Sequence, residues 1–217
     1  MRSYQQFCSV ARALDVVGDR WVLLIVRELM AMGPSRYSDL KRGLPGIATN
    51  LLAERLKVME AEGLVERYEA PAPVGAVLFR LTESGRELEG VLLALTRWGL
   101  RRMTSGPGPR DAVQPQWMAL LGGLELPGRL APGAEVTVGI ECGDEAMHVV
   151  LRPDGFEIRR GADADADVTL SGPAQLVGAV LSGLLTPAQA ADAGLRITGA
   201  RALLQELVDA APPGAAV

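Results

Sequence analysis

Apolar residues recur at helical spacing through the first thirty positions: Val10, Ala13, Leu14 and Val17, then Trp21, Leu24 and Ile25. This pattern predicts two helices with Gly18-Asp19 between them and Asp19 capping the second. Gly33-Pro34 ends that helix, and Ser35 is placed to cap a short third one anchored by Leu40 and Leu44. Pro45-Gly46 forces a turn. A fourth helix follows from about Ala48 to Glu62, with Thr49 as its cap. Leu52, Leu56 and Met59 fall on its inner side and Thr49, Asn50, Ala53 and Lys57 on its outer side. Gly63 stops it. Strands are expected from Leu64-Val65 to Glu69 and from Ala76 to Leu81. Thr82 then caps one long helix whose stripe is Leu88, Val91, Leu92, Leu95 and Trp98.

Thr104 to Asp111, TSGPGPRD, reads as a linker. A helix over about Ala112–Leu124 precedes a Pro/Gly-rich loop. Val136–Ile140, Ala146–Leu151 and Phe156–Arg160 alternate as strands, the last two joined by the Pro-Asp-Gly turn at 153–155. Val168–Leu170 is a further strand. Helices over Pro173–Leu181 and Pro187–Ala193, a short strand Leu195–Thr198 and a helix Ala200–Ala210 complete the pattern. Strands followed by helices imply an α+β domain with helices over one face of a sheet. The expected domains are therefore 1–103 and 112–217, with 104–111 between them.

Charge separates the two halves. Residues 1–103 carry 15 Lys/Arg against 12 Asp/Glu, whereas residues 104–217 carry 7 against 14. A weakly basic half joined to an acidic one fits a nucleic-acid partner for the first and another task for the second. The N-terminus lacks the apolar core of a signal peptide, and Arg27 and Glu28 interrupt the best apolar run, so no membrane partner and a cytoplasmic location are expected. Two cysteines, Cys8 and Cys142, are too few for a disulfide framework.

Helix, Pro-Gly turn, helix, Gly stop and hairpin between Ser35 and Glu83 are the order of a winged helix-turn-helix, in which the second helix enters the DNA major groove. Thr49 and Asn50 stand where base edges are reached: Asn can bond adenine bidentately, and Thr can meet a hydrogen-bonding group or a thymine methyl. Arg55 and Lys57 suit phosphates, as do Arg36, Lys41 and Arg42 on and after the preceding helix. The wing tip, Ala70 to Gly75, is uncharged, leaving Arg67 and Arg80 on the strands as the nearest cations. Recognition is thus expected to rest on the fourth helix. The alternative for each residue is a helix cap or a solvated charge.

These segments resemble the HxlR family of bacterial transcription regulators. The resemblance covers about residues 7–100. It is carried by Cys8-Ser-Val-Ala-Arg-Ala-Leu14, Gly18-Asp-Arg-Trp21 with the following LLIVREL, Arg36-Tyr-Ser-Asp-Leu40, Leu44-Pro-Gly-Ile47, Asn50-Leu-Leu52, Arg55-Leu56, Glu62-Gly-Leu-Val65 and Leu81-Thr82. It implies a homodimer on a palindromic or repeated operator, joined through the first helix and the Leu88–Trp98 helix. In some relatives a cysteine at the position of Cys8 responds to oxidants. Such a response needs an exposed thiolate, which Arg2, Arg12 or a helix N-terminus could favour; the competing reading of Cys8 is a small buried hydrophobe.

The second half resembles the sterol carrier protein-like fold. Ala166-Asp-Val-Thr-Leu-Ser-Gly172, Leu181-Ser-Gly-Leu-Leu-Thr-Pro187 and Gly194-Leu-Arg-Ile-Thr-Gly199 carry that likeness. It implies an apolar tunnel for a hydrophobic molecule, with Trp117, Leu120, Leu121, Met147, Phe156, Val180 and Leu184 as candidate walls, though each of these residue types more often fills a plain core. Catalysis has little support: His148, the lone histidine, has no nucleophile motif beside it, and there is no phosphate loop or zinc spacing. Asp163-Ala-Asp-Ala-Asp167 reads as a solvated acidic turn. The expectation is a non-enzymatic DNA-binding regulator, most simply a repressor, without metal or cofactor, whose second domain takes a small apolar effector. The alternatives are a redox-responsive regulator using Cys8, and a lipid carrier whose first domain is an interaction module.

Overall fold

The computed structural model describes residues 3–71, 75–103 and 106–209. By its internal contacts the chain divides into two units, residues 1–92 and 93–217. The first contains α1 (Ser9–Val17), α2 (Val22–Met32), α3 (Tyr37–Gly43), α4 (Thr49–Ala61), β1 (Val65–Glu69), β2 (Val77–Leu81) and α5 (Glu83–Arg86). Helix α6 (Glu89–Leu100) runs across the division.

The core of the first unit follows the apolar periodicity. Ile25, Val26 and Leu29 of α2 are buried, together with Leu40 and Leu44, Ile47, and Leu52, Leu56 and Met59 of α4. Strands β1 and β2 pair antiparallel with Val65 opposite Leu81 and Glu69 opposite Val77. Gly63, at φ 70°, lets the chain leave α4 for β1. The wing tip includes residues 72–74, which lie outside the described residues, as do Arg2 and residues 104–105 of the linker.

Three local expectations change. Ser35 does not cap α3. Its main chain exchanges two hydrogen bonds of 2.9 Å with Phe79, a single-residue bridge beside β2, while its hydroxyl donates to the Gly33 carbonyl. The start of α3 is held instead by Asp39, whose carboxylate accepts the Arg36 N–H. Thr49 is the first helical residue of α4, not its cap; that place belongs to Ala48, and no side chain caps the helix. Finally, the single helix expected after Thr82 is two. Thr82 does cap, accepting the Gly85 N–H at 3.1 Å. The first turn is then fixed to the wing by Arg86, which donates to the Leu81 carbonyl, and α6 starts afresh at Glu89.

The second unit contains α7 (Pro115–Glu125), strands β3 (Val136–Cys142), β4 (Glu145–Arg152), β5 (Gly155–Arg160) and β6 (Val168–Ser171), helices α8 (Ala174–Leu181) and α9 (Pro187–Asp192), β7 (Arg196–Gly199) and α10 (Arg201–Asp209). Helix α7 begins later than expected because Pro115 occupies its first turn, where a missing N–H costs nothing. The sheet order is β5-β4-β3-β6-β7, with β3 and β6 parallel and the other neighbours antiparallel. Val138, Val149 and Val168 share one register row, and Ile140, Met147 and Leu170 share another, so one face of the sheet is apolar and buried. Helix α7 packs on β4, β5 and α8.

A buried ion-pair cluster links α7 with α6 and α10. Glu125, only 4% exposed, accepts from Arg97 of α6 at 3.1 and 3.2 Å and lies 3.9 Å from Arg129. Arg129 also donates to the carbonyls of Leu207 and Val208, which end α10.

Candidate nucleic-acid interface

The sequence gives α4 two different faces. Leu52, Leu56 and Met59 are driven into the core, which turns Thr49, Asn50, Ala53 and Lys57 outward, all of them exposed. Because Ala48 offers no capping oxygen, the first N–H groups of α4 are not closed by a side chain of the cap residue. The partial positive charge of that end favours a nearby anion. The turn leading into it is held from α3: Tyr37 donates its hydroxyl to the Thr49 carbonyl at 2.5 Å, and Lys41 donates its ammonium to the Ile47 carbonyl. Tyr37 stood in the sequence only as part of the Arg36–Leu40 resemblance, since an aromatic residue at a helix start usually reads as packing.

The basic residues divide by their partners. Arg36 is exposed at the start of α3, and Arg42 is exposed and paired with Asp39 at 2.5 Å. Lys57 is exposed on the same side of α4 as Asn50. Arg55 is half-buried and faces another way. Its guanidinium meets Asp19 at 3.0 Å and Glu54 at 3.1 Å. On the wing, Arg80 pairs with Glu66 at 2.6 Å and lies over the Tyr68 ring, while Arg67 stands 3.8 Å from Glu60. The structure therefore brings Thr49, Asn50 and Lys57 together on one exposed helix face, with Arg36 at the start of α3 and Arg42 in its last turn. Lys41, Arg42, Arg55, Arg67 and Arg80 each also have a partner within the unit.

Helix α6 presents Val91, Leu95 and Trp98 as exposed side chains, with Leu88 half-buried and Leu92 buried. Helix α1 buries only Ala11 and exposes Val10 and Leu14. Ahead of it, Phe7 is fully exposed and Cys8 is exposed at the cap position of α1. The arm from Ser3 folds back onto α1, where Asp15 accepts the Tyr4 N–H at 2.7 Å and the Ser3 hydroxyl at 2.9 Å.

In the second unit, Leu120, Met147 and Val180 are buried, and Trp117, Leu121 and Phe156 are half-buried. Leu184 lies in the turn after α8 and is 54% exposed, unlike the other six. His148 is buried on β4, with Nδ1 3.1 Å from the Gly161 carbonyl and Nε2 3.8 Å from Asp163, so its ring braces the loop after β5. Asp163 accepts the Asp165 N–H and Asp167 the Thr137 N–H, which makes these carboxylates loop fasteners. Among the described residues no group of three potential metal-ligating side chains is assembled, and no helix is long and apolar enough to cross a membrane.

A family model of HxlR-like helix-turn-helix domains matches residues 16–106. An uncharacterized HTH-type transcriptional regulator of Mycobacterium tuberculosis, Rv3095, is 39% identical over 101 residues, which is 46% of this chain and 63% of its own. The chain thus spans less than two thirds of that relative's length. YtcD of Bacillus subtilis, also an uncharacterized HTH-type transcriptional regulator, is 37% identical over 105 residues, 48% of this chain and 82% of its own. A crystal structure of ytcD aligns with 45% of this chain and 99% of its own at 34% identity, with a TM-score of 0.42.

Proposed function

The chain belongs to the HxlR-like helix-turn-helix family of transcriptional regulators, and we propose that it is a repressor that binds operator DNA as a homodimer. In this reading Thr49 and Asn50 reach base edges, and Lys57, Arg36 and Arg42 meet phosphates. The observation that carries it is the open first turn of α4, with Thr49 and Asn50 exposed while Leu52, Leu56 and Met59 hold the helix from behind. Exposed Val91, Leu95 and Trp98 on α6, and Val10 and Leu14 on α1, support pairing of two copies. A two-fold pair presents two α4 helices to successive turns of the duplex, so the operator it reads is palindromic or repeated.

Within the same proposal, residues 112–217 form a sterol carrier protein-like domain that takes a small apolar effector, and 104–111 are a linker. Its support is the mixed five-stranded sheet with one apolar face and helix α7 packed over β4 and β5. Control requires the effector to bind one state of the regulator better than the other. No step of catalysis is invoked, and the protein acts in the cytoplasm on DNA.

Duplexes selected from a random-sequence pool by the full chain test the first claim. Asn50→Ala should then lower the preference for the selected sequence by about 1–3 kcal/mol while leaving binding to unrelated DNA nearly unchanged. Failure of the wild-type chain to enrich any sequence at low salt would sink the proposal and favour the lipid carrier with an interaction module. A second reading, redox-responsive control, is favoured by the exposure of Cys8 beside exposed Phe7. It predicts that diamide treatment abolishes binding to the selected duplex and that Cys8→Ser removes the effect.

A further inference from the structure

Arg55 looks in sequence like one more cation for the DNA backbone, yet its surroundings argue otherwise. One terminal nitrogen reaches Asp19 Oδ2 at 3.0 Å, and the other reaches Glu54 at 3.1 Å. Its Nε is buried and without a partner. A side chain held this way is not turned toward the face that carries Asn50 and Lys57. Asp19 is equally engaged: its other oxygen accepts the Trp21 N–H at 3.0 Å. The carboxylate therefore joins the turn between α1 and α2 to the middle of α4.

The same segment also lies near the turn that precedes α4. The ring of Trp21 lies beside Gly46, such that a side-chain carbon placed there would meet its Cη2 at 4.0 Å. Gly46 belongs to the turn that feeds α4. The segment Asp19–Trp21 thus holds α4 by an ion pair almost two helical turns along it. A helix tethered there by a bonded carboxylate cannot roll without breaking the pair. Buried Leu52, Leu56 and Met59 resist lifting, but apolar contacts are not directional and tolerate small rotations; an ion pair with hydrogen-bond geometry is directional.

We infer that Arg55 is a positioning residue, whose pair with Asp19 fixes the rotation of α4 against the α1–α2 turn so that Thr49 and Asn50 present to DNA, and that it makes no phosphate contact. This rests on the DNA-reading function proposed above. The two roles predict opposite results for a single neutralisation. If Arg55 positions α4, Asp19→Asn weakens binding although it removes a negative charge from the DNA-binding unit. If Arg55 binds phosphate, the same change frees it and leaves binding equal or stronger.

The experiment uses the full chain and the duplex that the wild type selects from a random pool, with affinity read by fluorescence anisotropy between 50 and 200 mM salt. Asp19→Asn and Arg55→Gln should each lower affinity by about tenfold, and the double variant should be no worse than either, as coupled residues require. The dependence on salt should keep the wild-type slope in all three, and the exchanged pair Asp19→Arg with Arg55→Asp should recover part of the loss. Unchanged or tighter binding by Asp19→Asn, together with a slope reduced by about one in Arg55→Gln, overturns the inference. Amide hydrogen exchange along α4, measured without DNA, provides the independent arm. Faster exchange from Leu52 to Val58 in Asp19→Asn and in Arg55→Gln supports the tether even if the wild type selects no duplex, whereas unchanged exchange overturns it.

Discussion

Arg97 of α6 donates to both carboxylate oxygens of Glu125, at 3.1 and 3.2 Å, in a site where Glu125 is almost wholly buried. Arg129 stands 3.9 Å away on the other side, buried as deeply, and its own guanidinium closes the last turn of α10. One acid therefore compensates two cations. Removing it strands a buried guanidinium, which is the costly direction for such a cluster. Glu125→Ala should destabilise the unit of residues 93–217 by about 3 kcal/mol. Arg97→Ala, which leaves Glu125 with Arg129, should cost about 1 kcal/mol. Urea unfolding of both variants checks the order, and an Arg97→Ala loss equal to that of Glu125→Ala would contradict it.

The two cysteines should differ in reactivity. Burial first, and Glu145 second, push the Cys142 thiol up to about 11. At pH 8 only about one molecule in a thousand then carries the thiolate. Cys8 is exposed. Iodoacetamide at pH 8, followed by mass mapping, should label Cys8 in the folded chain and Cys142 only after unfolding. The sign for stability follows from the direction of the shift. A thiol raised on folding stabilises the chain below its ordinary value near 9, and that contribution is lost as pH rises through about 11. Equal labelling of both cysteines in the folded state would refute the assignment.

Much of this arrangement was legible in the sequence. The apolar spacing of Leu52, Leu56 and Met59 placed the outward face of α4, and Gly63 marked its end, because burial and backbone freedom are local matters. What stayed hidden was partner choice across distance. Asp19 reads as a cap and Arg55 as a phosphate ligand, since a charged residue in one dimension shows its type but not what it meets 36 positions away. Ser35 was misread for a related reason: a Ser before a helix is a good cap, but a strand bridge to Phe79 claimed its main chain. In the second unit, strand positions followed from alternation, whereas the parallel pairing of β3 with β6 depends on a crossover that no local pattern encodes.

The arm before α1 should respond to acid. The Tyr4 N–H is the main cause that holds the Asp15 carboxyl below its ordinary value near 3.8, with the Ser3 hydroxyl and Arg12 assisting against some desolvation. A carboxyl lowered on folding stabilises the arm above that ordinary value, and the contribution disappears as pH falls through the lowered one. Asp15→Asn should release residues 4–7 at neutral pH. Nitrogen-15 relaxation would show it as a drop in order for Tyr4 to Phe7 while α2 keeps its values; unchanged order in the variant would mean that other contacts hold the arm.

Helix α6 places Val91, Leu95 and Trp98 at intervals of four and three, so they form one stripe, and all three are exposed while Leu92 is buried. The guanidinium of Arg102 lies 3.9 Å from the centre of the Trp98 ring and covers part of it, but Leu95 has no such cover among the described contacts. A charge at Leu95 should therefore spare folding and harm only association. Leu95→Asp is expected to sediment at the 23.0 kDa of one chain, and the wild type, under the proposal, at twice that mass. Its far-UV circular dichroism should be unchanged. DNA affinity should fall by about 100-fold or more, because two linked half-site contacts become single ones. The two measurements are tied together by the proposal. Wild-type protein that sediments as one chain would remove the homodimer, and a monomeric Leu95→Asp that keeps full affinity would show that one α4 suffices for the site.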